Sequence, residues 1–290
     1  MTDSDFSAED SKVLTPTEVA QDWKEFRWGK RWNLSNIPRK PQPIEWIVNQ
    51  IIPKRSLNMV YGLPGHAKTM VVLDICMCAA AGAPWLRRNE FWTEEAKVLW
   101  MDLDSGRDVM NERLVAMHRV HGNKDMSFDY YSFPVRGLNL SKYEDTEDTI
   151  QLIKELGSTL VVFDTFKRVA GDKDENSSDI DLVLGAMRRI ISETGCSVIA
   201  IHHANKGSGE GQTRMRGSTA IAGGVDNGYF IEYIEEAGSQ ARFSFRHEKA
   251  RRGSPIRPFE FRIESERDKR GATVKLYCKM FETSKGFVGG

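Results

Sequence analysis

A glycine-rich segment between an apolar run and an apolar helix is the part of this sequence best suited to chemistry. It follows the phosphate-binding pattern G-x-x-x-x-G-K-[ST] except at one position, and its residues are Gly62, Leu63, Pro64, Gly65, His66, Ala67, Lys68 and Thr69. Backbone N–H groups in such a loop wrap a polyphosphate at the amino end of the following helix. We therefore predict that Lys68 reaches the outer phosphates of a nucleotide and that Thr69 holds a magnesium ion.

The departure from the pattern is Ala67, which stands where the pattern has glycine. Alanine adds one methyl group and disfavours positive φ, so we expect a usable loop of slightly altered conformation. A chance glycine turn before a core helix is the alternative. The strand predicted over 57–61 and the helix predicted over 70–81 disfavour it, because they supply the context that a phosphate loop requires.

Acidic residues follow two further apolar strands. Asp164 ends the run 160–163 and is expected to support the magnesium ion, directly or through water. Asp102 and Asp104 follow the run 98–101, and strand alternation is expected to place both on one side. One of them would orient and deprotonate the attacking water, unless the segment is an ordinary acidic turn. Ligands of open α/β sheets bind at this edge of the sheet.

Two histidines, His202 and His203, follow the strand predicted over 197–201. Neighbouring side chains on a strand point to opposite faces, so joint ligation of one metal ion is disfavoured. We expect His202 to be a core residue and His203 to sense the terminal phosphate by hydrogen bonding.

Two irregular segments leave the same edge, over 169–181 and 205–217. The second is rich in glycine, and its candidates for phosphate contacts are Lys206, Arg214 and Arg216. A surface loop that binds nothing is the alternative.

A basic turn ends the strand predicted over 243–249. Lys249 and Arg251 point the same way, while Lys68 already serves the nucleotide of this chain. The pair is best explained if it reaches the nucleotide of a neighbouring copy, as an arginine finger does. A solvated basic turn is the alternative.

Apolar strands alternate with helices from 44 to about 201, which predicts a mostly parallel sheet with helices on both faces. The runs that follow have a period of two and predict antiparallel strands that extend the sheet, over 229–234, 243–249, 259–263 and 274–281. Residues 44–290 are thus expected to form one α/β domain, with its antiparallel extension at about 226–282.

Residues 1–43 are polar and end in a proline-rich run, which predicts an arm or linker. Aromatic and basic side chains alternate within it: Trp23, Lys24, Phe26, Arg27, Trp28, Lys30, Arg31 and Trp32. These side chains could cover the core of this chain or dock onto a neighbouring subunit. Stacking on the bases of single-stranded nucleic acid is the third and least favoured interpretation.

Bulk properties exclude several classes of protein. Lys and Arg total 41, as do Asp and Glu, so the net charge gives no argument for nucleic acid or membranes. No segment is apolar and long enough to span a bilayer, and the N-terminus lacks the apolar core of a signal peptide. We expect a soluble, cytoplasmic protein.

Taken together, the motifs resemble the RecA-fold ATPases, and within them the hexameric replicative DNA helicases of the plasmid RepA type, which are related to the DnaB type. The resemblance covers roughly 44–264. The segments that carry it are the phosphate loop and 100–104, 160–206, 216–218, 225–227 and 249–251.

The resemblance implies a RecA-like core, ATP and Mg²⁺ as ligands, and a homo-hexameric ring on single-stranded DNA, with a primase or other replication proteins as further partners. It places Asp104 at the catalytic carboxylate, where the family usually has glutamate. His203 falls at the γ-phosphate sensor, which is glutamine in DnaB-type helicases. Lys249 and Arg251 match the lysine-x-arginine finger pair of DnaB-type rings.

Two irregular segments, 169–181 and 205–217, match the DNA-binding loops of the family. RepA-type helicases carry an arginine just after the segment matched by 225–227, whereas this chain has Tyr229 there.

The resulting hypothesis is an ATP-driven ring helicase that acts in replication of a plasmid, phage or mobile element. Another RecA-fold ATPase, such as a recombination mediator, a filament former or a signalling ATPase, would share every nucleotide residue. A scaffold that holds nucleotide without turnover is the second alternative, and Ala67 and the short Asp104 side chain keep it open.

Overall fold

One nine-stranded sheet organises the protein. The computed structural model describes residues 40, 42–132, 137–171, 179–203, 219–237 and 240–281. Contacts divide the chain between Pro43 and Ile44, and the fold that follows belongs to the second unit. In chain order the strands are β1 Trp46–Val48, β2 Ile52–Pro53, β3 Leu57–Gly62, β4 Val98–Asp102, β5 Phe128–Ser132, β6 Leu160–Asp164, β7 Ser197–His203, β8 Asn227–Ala237, β9 Gln240–Ala250, β10 Phe259–Arg267 and β11 Thr273–Met280.

Helices connect the strands of the parallel part and cover its two faces. They are α1 Lys68–Ala81, α2 Arg107–Val120, α3 Tyr143–Leu156, α4 Phe166–Val169, α5 Asp179–Thr194 and α6 Thr219–Gly224. Side chains of α1 and α2 contribute to the core on one face, and those of α3 to α6 contribute to the core on the other. The predicted parallel sheet with helices on both faces is therefore confirmed.

The strand order is β5-β4-β6-β7-β3-β8-β9-β10-β11. All neighbours from β5 to β8 are parallel, and those from β8 to β11 are antiparallel. The predicted antiparallel extension is thus confirmed for β9, β10 and β11. β8 joins the two parts of the sheet, because it pairs antiparallel with β9 and in parallel with β3. The sequence pattern did not predict the parallel pairing, because β3 lies more than 160 residues earlier in the chain.

The central helix α1 is apolar on nearly all sides, and twelve of its fourteen residues are buried. The parallel sheet covers one side of it, and the antiparallel extension closes over another. Trp85 fills the space between them, with its ring 5.3 Å from that of Phe245 and 5.9 Å from that of Phe259. At the far end, β11 packs against α2. The extension therefore holds in place the helix that begins at Lys68.

Several sequence features fall outside the ranges that the structure describes. These include residues 1–39, with the aromatic and basic arm, and the three candidate DNA-binding residues Lys206, Arg214 and Arg216. Within the described ranges, none of the helices combines the length and the apolar character needed to cross a bilayer.

Candidate active site

The carboxyl ends of four adjacent parallel strands bring the predicted site residues together. In the register of the sheet, Gly62 lies beside His203, and Asp164 lies beside both Ile201 and Asp102. Strands β3, β7, β6 and β4 therefore deliver the phosphate loop, the histidine pair and the two acidic segments to one edge. This is the edge at which open α/β sheets bind their ligands.

The loop between β3 and α1 is shaped by close backbone approach. A Cβ on Gly62 would lie 2.3 Å from the carbonyl oxygen of Ile231 on β8, so only glycine fits there. Ala67 adopts a left-handed conformation, with φ 58° and ψ 17°, immediately before α1. The structure thus holds alanine in the conformation that glycine would adopt more easily. His66 fastens the loop to β8, because its Nδ1 accepts a hydrogen bond from the Tyr233 N–H at 3.2 Å.

Lys68 is the buried cation of the loop, with only 4% of its surface exposed. Its Nζ donates a hydrogen bond to the Leu63 carbonyl oxygen at 2.8 Å, so the side chain folds back across the loop. Burial lowers the pKa of Lys68 to about 8, and the charges of Asp164 and Asp104 oppose this shift only in part. A bound phosphate would supply the negative charge that the buried ammonium group lacks.

Asp164 and Thr69 fit a magnesium ion. The Thr69 hydroxyl donates to Asp164 Oδ2 at 3.0 Å, while Asp164 Oδ1 is buried and has no hydrogen-bond partner among the described residues. Burial raises the pKa of Asp164 to about 7, and Asp102 and Asp104 push it in the same direction. A cation beside this carboxylate would relieve both the missing contact and the unfavourable charge. When bound with nucleotide, the ion would neutralise charge on the phosphates.

Asp102 and Asp104 have different surroundings, and the alternation from which we predicted a shared side does not extend to Asp104, because the strand ends at Asp102. The strand β4 ends at Asp102, which is fully buried. Its Oδ1 accepts the N–H groups of Asp104 and Ser105 at 2.9 and 2.8 Å. Its Oδ2 accepts from the Gly106 N–H at 2.9 Å and from the Tyr130 hydroxyl at 2.6 Å. Asp102 therefore holds the turn that presents Asp104, whose side chain is 45% exposed.

This difference predicts that substitution of Asp102 lowers stability, whereas substitution of Asp104 lowers turnover. Asp102→Ala leaves three N–H groups and a hydroxyl without their acceptor, so we expect a loss of about 3 kcal/mol in the free energy of unfolding. Asp104→Asn leaves these hydrogen bonds in place, and we expect unchanged stability with turnover reduced about a hundredfold. Urea titration and steady-state ATPase rates measure the two effects. Equal stability loss in both variants would contradict the division of roles.

The two histidines differ in burial, and His202 is a core residue as predicted. His202 is 6% exposed and packs edge-on against the ring of Phe166, with centroids 5.7 Å apart. His203 lies at the edge of the site, with its Nε2 4.0 Å from Asp104 Oδ2. Burial, together with the nearby charge of Lys68, lowers the pKa of His203, so the imidazole is neutral at pH 7. A neutral imidazole at this place can exchange a hydrogen bond with a phosphate oxygen or a water.

Lys249 and Arg251 lie at the opposite end of the same sheet. Gly228 of β8 pairs with both Met59 and Lys249, which places Arg251 near the level of Leu57, where β3 begins. The phosphate loop starts five residues further along β3, a rise of roughly 15 Å. Lys249 Nζ donates to the carbonyl oxygens of Ala222 and Gly223. The structure therefore does not bring this pair to the phosphate loop of its own chain.

Comparison with known proteins assigns the chain to a family of ATPase-type domains. Residues 25–209, more than half of the chain, match the AAA_25 family, which is described as an AAA domain. The chain belongs to the AAA_25 family. The match begins at residue 25, within the segment that we expected to be an arm or linker.

A solved structure of an ATPase domain shows the same fold as this AAA_25 protein. The two superpose with a TM-score of 0.55, over 77% of this chain and 85% of that chain, at 14% sequence identity. At this level of identity the likeness concerns the fold alone. Together with the family match, it confirms the RecA-like core and the predicted resemblance to RecA-fold P-loop ATPases.

The structure also identifies residues of this AAA_25 protein to which the motifs gave no role. Asp226 pairs with both Arg251 and Arg188, and Tyr130 donates a hydrogen bond to Asp102. Asp226 lies in a segment that carried the resemblance, but Arg188 sits within an ordinary amphipathic helix and gave no signal. Over the described ranges, no three or more His, Cys, Asp or Glu side chains are grouped so that they could hold a metal ion by themselves.

Proposed function

We propose that this protein is a ring-forming ATPase that moves along single-stranded DNA and unwinds duplex DNA, as a homo-hexamer, in replication of a plasmid, phage or mobile element. ATP is the substrate, and each nucleotide is bound between two subunits. Lys68 and the loop backbone bind its phosphates, Thr69 and Asp164 hold Mg²⁺, and Asp104 orients the attacking water. Lys206, Arg214 and Arg216 are the proposed contacts to DNA.

The observation that carries this proposal is the placement of the basic pair. Lys249 and Arg251 lie where β9 ends, close to the start of β3 in the sheet. The phosphate loop follows the other end of β3. If subunits stack head to tail, the amino edge of one sheet faces the carboxyl edge of the next. Arg251 then reaches the nucleotide of the neighbour, where an arginine can stabilise the charge that develops on the transferred phosphoryl group.

The test combines turnover with particle mass. We expect ATP hydrolysis by the full chain to rise when single-stranded DNA is added, and light scattering to report a hexamer with ATP present. Arg251→Ala should lower turnover about a thousandfold. Arg267→Ala is the matched control, because its Nη1 also donates to a carbonyl oxygen, that of Gly271 at 3.0 Å, but at the far end of β10. A strictly monomeric protein whose turnover survives Arg251→Ala would refute the proposal.

Strand displacement on a forked DNA separates the helicase from the other RecA-fold ATPases. A recombination mediator, filament former or signalling ATPase should hydrolyse ATP and leave the fork intact. A scaffold protein should bind nucleotide and release no phosphate. The left-handed Ala67 is the feature most favourable to the scaffold, because it constrains the loop that must close on the phosphates.

A further inference from the structure

A cluster of one acid and three cations lies at the amino edge of the parallel sheet, where α6 leads into β8. Asp226 is its centre, and its side chain is only 16% exposed. Its Oδ2 accepts the Leu57 N–H at 2.9 Å. Its Oδ1 accepts Arg251 Nη1 at 3.0 Å and lies 3.4 Å from Arg188 Nη2. One carboxylate therefore contacts the start of β3 and two guanidinium groups.

The same cations also contact the carboxyl end of α6. Arg251 Nη2 donates to the Gly223 carbonyl oxygen at 3.0 Å, Lys249 Nζ donates to the same oxygen at 3.3 Å, and Arg188 Nη2 donates to Gly224. The last carbonyl groups of a helix lack partners within the helix and attract positive charge. The two contacts of Arg251 fix the plane of its guanidinium group, although its side chain is 48% exposed.

Arg251 can leave this arrangement without leaving Asp226 uncompensated. Arg188 remains near the same carboxylate oxygen, and the Leu57 N–H stays on the other one. Arg251 gives up two hydrogen bonds at a half-exposed position and gains charge-assisted bonds to a phosphate, which are stronger. A free arginine side chain samples many rotamers, whereas Asp226 restricts Arg251 to few before it meets a ligand.

We propose that Asp226 is a positioning residue of the shared active site. It holds Arg251 of one subunit in the orientation from which the guanidinium group meets the nucleotide of the neighbour, and Arg188 keeps Asp226 neutralised when Arg251 transfers to the phosphate. This inference rests on the proposed function, in which Arg251 acts between subunits. The alternative is that Asp226 merely ties β8 to β3.

The test uses Asp226→Asn, in which the amide oxygen can still accept the Leu57 N–H but the negative charge is lost. We expect turnover to fall roughly tenfold, with nucleotide affinity unchanged, because the variant keeps its own phosphate loop. Glu264→Gln is the matched control. Glu264 is 23% exposed and pairs with Arg262 at 2.6 Å on the same antiparallel extension, away from the cluster. The turnover of Glu264→Gln should equal that of the wild type.

Mixing subunits separates positioning from a local structural role. Lys68→Ala subunits lack a working phosphate loop but contribute an intact Asp226 and Arg251 to their neighbours. In a random one-to-one mixture with Asp226→Asn subunits, about one quarter of the interfaces combine an intact phosphate loop from an Asp226→Asn subunit with an intact Asp226–Arg251 pair from a Lys68→Ala subunit. Activity per subunit should therefore rise above that of either variant alone. If Asp226→Asn instead damaged the phosphate loop of its own subunit, the Lys68→Ala subunits could not restore activity.

A reference mixture of Arg251→Ala with Lys68→Ala distinguishes the two levels of the hypothesis. Suppose that this reference mixture regains activity. The role of Asp226 is then overturned if Asp226→Asn alone turns over like the wild type, or if its mixture with Lys68→Ala regains no activity. In both cases the shared site stands. If Arg251→Ala alone keeps wild-type turnover, the shared site itself fails. Should Asp226→Asn not fold, Asp226→Glu displaces the carboxylate by one methylene and must show the same loss and the same rescue.

Discussion

Replacing Lys68 with methionine should abolish ATP hydrolysis and, at the same time, stabilise the protein in the absence of nucleotide. Lys68 is 4% exposed, and among the described residues its ammonium group donates to one carbonyl oxygen, that of Leu63. Methionine fills a similar volume without a charge to desolvate. We expect turnover to fall roughly a thousandfold or more, because the group that balances the charge of the outer phosphates is lost.

The stability effect of Lys68→Met has a defined pH dependence. Burial lowers the folded-state pKa of Lys68 to about 8, below its ordinary value of 10.5. Between these two pH values the unfolded chain binds more protons than the folded one, so the stability of the wild type should rise with pH across this window. The variant lacks that rise. Below pH 8 it should be more stable than the wild type by roughly 2–3 kcal/mol, measured by urea unfolding without nucleotide.

A loss of both activity and stability in Lys68→Met would contradict this account, since it would indicate a structural role for the ammonium group. Lys275→Met is a suitable control. Lys275 pairs with Glu266 at 2.9 Å on the exposed part of the extension. Lys275→Met should have the turnover of the wild type, because Lys275 lies far from the phosphate loop.

The second large effect is expected for Asp164→Asn. Asp164 is 1% exposed, and burial raises its pKa from 3.8 to about 7. The folded protein therefore binds more protons than the unfolded chain between about pH 4 and 7, and wild-type stability should fall as the pH rises through this range. Asparagine removes the charge. Above pH 7 the variant should be more stable than the wild type by roughly 3–4 kcal/mol in the absence of Mg²⁺ and nucleotide.

Added Mg²⁺ and ATP should reverse this order. They should raise the melting temperature of the wild type, because an ion beside Asp164 would stabilise the charged carboxylate, whereas Asp164→Asn should gain much less. ATP hydrolysis by the variant should be close to background. A variant that binds Mg²⁺ and ATP as tightly as the wild type would contradict the assignment of Asp164 to the metal.

Local sequence predicted much of this site. The phosphate loop was recognisable because a strand, a glycine-rich turn and a helix are neighbours in the chain. Asp164 and His203 were recognisable because each follows a continuous apolar strand, and parallel strands end at the same edge of a sheet. Each of these inferences needs only residues within about ten positions of one another, together with one general rule of sheet geometry.

The roles of Asp102 and Asp104 could not be separated in this way. Both follow the same strand, and their difference depends on Tyr130, which arrives from the neighbouring strand β5, and on where β4 stops. The left-handed conformation of Ala67 was also established only by the structure. Its pattern position suggested positive φ, but the sequence could not show whether the loop would adopt it.

By itself, the sequence determined that this chain is an α/β protein with a phosphate loop and with acids and histidines at the ends of parallel strands. Only the tertiary structure decided that Arg251 lies at the opposite edge, held by Asp226 and by the Gly223 carbonyl oxygen. That arrangement depends on β8 pairing in parallel with β3, more than 160 residues away, and on β9 returning antiparallel beside it. Such pairings are fixed by the packing of the whole sheet around α1, because the local pattern of a strand specifies which faces are apolar but not which strand lies beside it.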